Sequence, residues 1–360
     1  MKKLFIFVSI LLLISGCGKY GKKDLINDIS KKVNNSDSYH LSGTLDIYRN
    51  EEKYSYDVDS SYMKGDYFKV DLINKNNNHK QIILKNQDGV YVLTPSLNKS
   101  FKFQSDWPYN NSQIYLLQPI INDINNDTEI KYEENKDGYI ITGKVNYSTE
   151  KDFVNQKVYI DKDKNIYKVE ILDKNDTVKM VLNITDIDYK PSFDNDYFSE
   201  SKYKVETSED SNDNTQKTEE NDKEGQKQDT TTNTTNEEKK ELSSDQTTAH
   251  LNEIVYPMYV PTDTYLSGQD VVSTTSGERV ILTFNGESSF TVVQENLSNQ
   301  DTTNYVYGDP YLILDTVGSI TDYSVSWISN GVEYSVLSDT MNIDELLTVA
   351  QSISVKAVAK

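Results

Sequence analysis

From Tyr39 onward the apolar residues fall on every second position. Leu41, Gly43, Leu45 and Ile47 alternate with polar neighbours, and Tyr54, Tyr56, Val58 and Tyr62 then Phe68, Val70 and Leu72 continue the pattern. Shorter runs follow at Gln81–Lys85, Val90–Thr94 and Lys99–Phe103. Turn formers separate them: Lys64-Gly65-Asp66, Asn76-Asn77-Asn78 and Asp88-Gly89. A period of two puts one set of side chains on one face of a strand. Short turns between such runs give an antiparallel meander with one covered face and one wet face. The pattern returns at Tyr139–Val145, Gln156–Ile160, Ile166–Leu172 and Val178–Tyr189, for ten or eleven strands in all. A strongly twisted sheet of that width curls.

Two helices are predicted against this sheet. Leu25, Ile26, Ile29 and Val33 share a face over Asp24–Val33, with Asp24 at its start and Lys31 and Lys32 at its end, as the helix dipole favours. Ile114, Leu117, Ile121 and Ile124 recur at helical spacing over Ser112–Asn126, where Pro119 is expected to kink or split the helix. Helices on one side of a curled antiparallel sheet enclose an apolar space. The fold class expected is mainly β (α+β): a half-open curved antiparallel sheet covered by helices, followed by a small α+β domain.

Residues 199–250 are different material. Ser199–Thr248 holds 14 acidic residues and 7 lysines, and Leu242 is the lone aliphatic residue between Val205 and Ala249. Such a stretch cannot bury enough apolar surface to offset its ordering entropy, so an acidic disordered linker is expected. Order returns over residues 251–360. Strands are expected at Val271-Val272, Arg279–Phe284, Phe290–Val293, Tyr311–Leu314, Tyr323–Trp327 and Glu333–Leu337, with Asn285-Gly286 and Asn330-Gly331 as hairpin signatures. Asn342 caps a helix whose stripe is Ile343, Leu346, Leu347, Ala350 and Ile353. Trp327 and Tyr334 are expected to pack that small core.

The N-terminus carries Lys2 and Lys3, an apolar run from Leu4 to Ile14, then Ser15, Gly16 and Cys17, the single cysteine of the chain. The run is too short to span a bilayer, which takes about twenty residues. It has the charged, apolar and small-residue regions of a secretory signal. Ile14-Ser15-Gly16-Cys17 resembles the lipobox of bacterial lipoproteins. That resemblance implies a signal peptide over residues 1–16, lipidation of Cys17 and a lipidated tether over residues 17–23. Two acyl chains hold a protein firmly at a membrane. The chain is therefore expected at the cell membrane, lipid-anchored on the extracytoplasmic face.

Gly89-Val90-Tyr91-Val92-Leu93-Thr94-Pro95, Leu97-Asn98-Lys99, Phe101–Ser105 and Trp107-Pro108 resemble a segment of clostridial and bacillar sporulation and germination lipoproteins. Those belong to the LolA/LolB/RseB-like family. The resemblance covers roughly residues 24–198, and implies a half-open barrel closed by helices whose members carry or sense lipids and lipoproteins, or bind a cortex-processing enzyme. Trp327, Gly331, Tyr334, Leu346-Leu347 and Ala350 resemble an uncharacterised C-terminal domain of similar lipoproteins and, more distantly, the second domain of RseB. On this basis Tyr91, Phe101, Phe103, Trp107, Leu117 and Ile121 are the candidate ligand or partner contacts.

Other chemistries have little support. With 57 acidic against 37 basic residues the formal charge is -20, which repels phosphates and excludes nucleic acid as a partner. His40, His79 and His250 stand apart, and no protease, hydrolase or phosphate-loop motif occurs. Asp161, Asp163 and Asn165 have the look of a calcium loop, but Ile166 stands where that loop needs glycine, so a β-turn is expected. No catalytic residue, cofactor or metal is assigned. The expected function is a non-catalytic binding or sensing module for an apolar ligand (an acyl chain), a lipoprotein or an envelope enzyme or regulator. The alternative is a scaffold that recruits a cell-wall (cortex) hydrolase without binding lipid.

Overall fold

The computed structural model describes residues 20–49, 52–147, 150–204, 251, 253–274, 277–297 and 303–353. The expected signal peptide, Cys17 and residues 205–250 of the expected linker lie outside the described residues. The first eleven strands are β1 (Ser38–Arg49), β2 (Glu52–Met63), β3 (Tyr67–Asn74), β4 (Lys80–Asn86), β5 (Gly89–Thr94), β6 (Lys99–Gln104), β7 (Lys131–Glu134), β8 (Gly138–Lys144), β9 (Phe153–Asp161), β10 (Ile166–Asp173) and β11 (Val178–Asp188). β1 sits mid-sheet, with β2 to β6 laid outward on one side in chain order and β11 back to β7 on the other. The chain thus builds half the sheet, crosses to the far edge, and returns inward to pair β11 with β1. β7 is the strand the sequence pattern does not reveal: in Lys-Tyr-Glu-Glu only Tyr132 is apolar, too little to show a period.

Along β1 buried and half-buried residues alternate, with Leu41, Leu45 and Ile47 inside. Between Ser42 and Gly43 the β1–β11 register slips, because Thr185 is an extra residue on β11. A Cβ on Gly43 would lie 2.3 Å from the Asn183 carbonyl oxygen, so only glycine permits this approach. Bulges bend and twist strands, and this one lies at the middle of the sheet, where it contributes to the curl.

Helix α1 (Lys22–Asn34) buries Leu25, Ile29 and Val33, each contributing about 1.5–3 kcal/mol. Its Asp24 carboxylate accepts from the Gly21 N–H at 2.9 Å. Helix α2 runs Leu117–Asn126, starting five residues later than the apolar spacing predicts. Pro119 neither kinks nor splits it. It sits in the first turn, where an N–H has no helical partner to lose. The start of α2 is fixed from β1: the buried Tyr39 hydroxyl donates to Gln118 Oε1 at 2.8 Å and accepts from the Leu117 N–H at 3.1 Å.

The second sheet holds β12 (Thr264–Thr274), β13 (Gly277–Gly286), β14 (Phe290–Asn296), β19 (Val332–Leu337), β18 (Ser324–Ser329), β17 (Thr316–Ile320) and β16 (Asp309–Ile313), in that spatial order. Helix α3 (Ile343–Ser352) covers it, with Asn342 Oδ1 accepting from the Glu345 N–H at 3.0 Å. Trp327 and Tyr334 face each other in register and stack at 5.4 Å inside this core. Asn330 and Gly331 both have positive φ, as a two-residue hairpin turn of this twist requires. Asn285-Gly286 instead ends β13 before a longer loop.

The two sheets are joined. β15 (Thr303–Tyr307) leaves the second unit and pairs parallel with β6 as the twelfth strand of the first sheet. Gln81 on β4, buried, acts as a surrogate peptide group: its Oε1 accepts from the Val317 N–H at 2.6 Å and its Nε2 donates to the Val317 carbonyl at 3.1 Å. Tyr56 donates to the Leu314 carbonyl at 2.7 Å. Arg49 Nη2 donates to the Tyr311 hydroxyl at 2.9 Å and pairs with Glu150 at 2.5 Å, while Tyr311 also donates to Glu150.

Candidate partner-binding surface

The structure does not gather the six candidate contact residues around one opening. Trp107, Leu117 and Ile121 are sealed in the main core beneath α1 and α2. Tyr91 points to the opposite face of β5, into a satellite cluster with Ile82, Leu84, Leu93 and Phe198. That cluster is roofed by residues 193–203, including the turn Glu200–Tyr203, so the first residues of the expected linker are packed on the sheet. Here the Lys69 ammonium lies 5.1 Å from the Tyr197 ring and 4.9 Å from the Tyr203 ring, and is paired with Asp71. Burial pushes its pKa down, against Asp71, which raises it.

Phe101 and Phe103 do share a site. They line a cavity of about 30 Å³ at the sheet–sheet junction, with Gln81, Val317, Trp327 and Glu333. Burial raises the Glu333 carboxyl pKa there, and the nearby Glu295 adds to it. A second junction cavity of about 50 Å³ lies between Ile47, Arg49, Tyr115, Tyr147 and Tyr311. By this measure one water needs about 10–15 Å³, so each holds a few waters and neither holds an acyl chain. The enclosed apolar space expected between sheet and helices is occupied by the chain's own tyrosines, isoleucines and leucines.

What the fold leaves open is strand edges. Unpaired edges invite another chain, and proteins guard them with brevity, charge or proline. β7 is four residues long with three charged side chains. β16 carries Pro310 and is held by Arg49 and Glu150 through Tyr311. β15 is five residues long. β12 is eleven residues long, pairs with β13 on one side alone, has a single charged residue, Asp270, and no proline, and carries a bulge at Ser267 near its start.

β12 is also bare on both faces. Leu266 and Val271 lie opposite Phe284 and Val280, so they continue the core face of the second sheet past its cover. Val271 is nonetheless 54% exposed and Tyr265 65% exposed. Val272 lies opposite Arg279 on the other face. Beside the strand, the chain entering the sheet exposes Met258 and Tyr259, and Tyr256 donates to Gln269 Oε1 at 2.6 Å. The exposed apolar residues of this region therefore lie on both faces of β12 and on the chain beside it. The sequence pattern marks only Val271-Val272 here, because Tyr265–Asp270 shows no alternation.

No family model matches this chain. It is 29% identical over 346 residues to the sporulation protein YdcC of Bacillus subtilis, spanning 95% of this chain and 93% of that one. Among solved structures it overlays MucB with a TM-score of 0.33 and 11% identity, over 92% of this chain and 97% of the other. The CwlD amidase of Clostridioides difficile in complex with the GerS lipoprotein gives a TM-score of 0.30 at 19% identity, over 48% of this chain and 99% of the other. Overlays this loose carry no functional argument. Among the described residues no three metal-ligating side chains cluster, and no helix is long and apolar enough to cross a membrane.

Proposed function

We propose that this chain is a non-catalytic, lipid-anchored binding module of the cell envelope that acts in sporulation by taking an extended segment of an envelope enzyme or regulator along β12. Full-length similarity to a sporulation protein supports the setting. The lipobox-like Ile14–Cys17 supports the anchor. The observation that carries the binding mode is the β12 edge. An added strand gains main-chain hydrogen bonds there, and covering the half-exposed Leu266, Val271 and Val272 adds about 1 kcal/mol each. The filled interior favours a protein partner over an acyl ligand.

A photo-crosslinking amino acid placed at Val272 in sporulating cells is expected to trap a discrete envelope protein, and one placed at Glu133 on β7 is not. Val271→Lys should abolish the crosslink while leaving the melting curve unchanged, because the side chain is already half in water. Equal trapping at both strands, or trapping indifferent to Val271→Lys, refutes the proposal.

A further inference from the structure

Helix α2 has a second face that the core does not use. Leu117, Ile120, Ile121 and Ile124 point inward, while Asn122, Asp123 and Asn126 line a groove of about 390 Å³. Its opposite wall is built from Pro108, Tyr109, Asn111 and Ser112 and from residues 144–146. This volume lies within the roughly 300–1,000 Å³ of ligand sites. Unlike most such sites it is walled mainly by polar side chains.

The floor is fixed. Ser112 donates its N–H to the Asn146 carbonyl at 2.8 Å, and the Asn146 N–H donates to Ser112 Oγ at 2.7 Å. Ser112 Oγ in turn donates to Asp123 Oδ2 at 2.7 Å, and Gln156 Nε2 reaches the same oxygen at 3.5 Å. Asp123 Oδ1 is left to accept from a ligand. The side-chain amides of Asn122, Asn126 and Asn146 are exposed at the groove and bond no described residue. Tyr109, 54% exposed, supplies one aromatic edge.

Charge narrows the ligand. Lys144 is paired with Glu129 at 2.6 Å, so the groove offers no free cation to an anion. Asp127 spends both oxygens on the Glu129 and Lys144 N–H groups at 2.7 Å each. Amides and a carboxylate oxygen match hydroxyl groups, each of which donates and accepts. We infer that this groove binds a short neutral saccharide, with the α2 amides and Asp123 reading its hydroxyls. Burial lifts the Asp123 carboxyl to about 6, with the Ser112 bond opposing, so near neutral pH it remains mostly a carboxylate that accepts from a hydroxyl. The site shares no residue with β12.

The test uses the full mature chain, isotope-labelled, titrated with triacetylchitotriose and with maltotriose. At least one sugar is expected to give saturable shifts of the Asn122, Asn126 and Asn146 side-chain amide signals. Asn122→Trp, at an exposed helix position, fills the groove and should weaken that binding by about tenfold or more. Its unchanged melting curve would establish that the fold is intact, and Asn126→Trp serves if it is not. No shifts with either sugar at tens of millimolar, or shifts that survive a folded groove-filling variant, overturn the inference.

Discussion

Arg49 is one of two arginines in the chain, and it closes the joint between the sheets. Its guanidinium and the Glu150 carboxylate are 12% and 18% exposed, with Tyr311 bridging them. Burial opposes its charge, yet Tyr311 and Glu150 outweigh that and raise its pKa. Arg49→Met leaves Glu150 charged, without its cation, beside a cavity that admits only a few waters. Breaking a fully buried pair costs about 3–5 kcal/mol, and the residual exposure puts this one near the lower end, about 3 kcal/mol. Glu150→Leu should cost a similar amount by stranding the guanidinium. The double change removes both charges and strands only the Tyr311 hydroxyl, for about 1–2 kcal/mol. The double-mutant cycle should therefore show a coupling of about 4–5 kcal/mol. Urea unfolding of the three variants and the parent, compared at a common m-value, measures it. Single losses below about 1 kcal/mol, or losses additive within about 0.5 kcal/mol, refute the view that this triad locks the joint.

Three further outcomes follow from the same contacts. Tyr39→Phe keeps the ring but strips the hydroxyl from the Leu117 N–H and Gln118, so thermal melting should report a loss of about 1–3 kcal/mol. Asp123 titrates near 6 folded against 3.8 for the free side chain. The folded state thus holds its proton more tightly, and stability falls as pH rises through that window. Asp123→Asn removes the penalty and should stabilise the protein at pH 7 by about 1–2 kcal/mol after discounting for partial exposure, a gain that vanishes on acidification to about pH 4. Cys17→Ser should move the protein from the membrane to the soluble fraction on cell fractionation. Retention at the membrane counts against the anchor.

The large curved sheet was legible because its signal is redundant. Eight-residue and longer strands such as β1, β2 and β11 repeat the same alternation, and each short turn adds its own residues. Where an element offers only one or two apolar residues, as in β7, or a mid-strand glycine, as Gly318 in β17, the period vanishes. Gly318 is required there, since a Cβ would sit 2.2 Å from the Ser326 carbonyl oxygen, but a sequence records the glycine and not the neighbour that demands it.

The candidate site was less legible, for a different reason. Alternation states that one face of a strand is covered and never says by what. Tyr91 and Phe101 are ten residues apart on adjacent strands and read alike, yet one lies under residues 193–203 and the other under β17 and β18. Phe103 looks like a pocket lining until the second sheet closes over the first, and Trp107 until the main core closes around it. The same limit hides β12. The pattern marks only Val271-Val272 there, and their exposure depends on a core cover that buries Val280 and Phe284 but not the strand beside them. The physical distinction between a core residue and a docking residue lies in the neighbour that is missing, and that neighbour is set by packing hundreds of residues away. For this chain the consequence is testable at single positions: a charge at Val271 meets water and is tolerated by the fold, whereas a charge at Val280, directly opposite on the same face, should unfold the second unit.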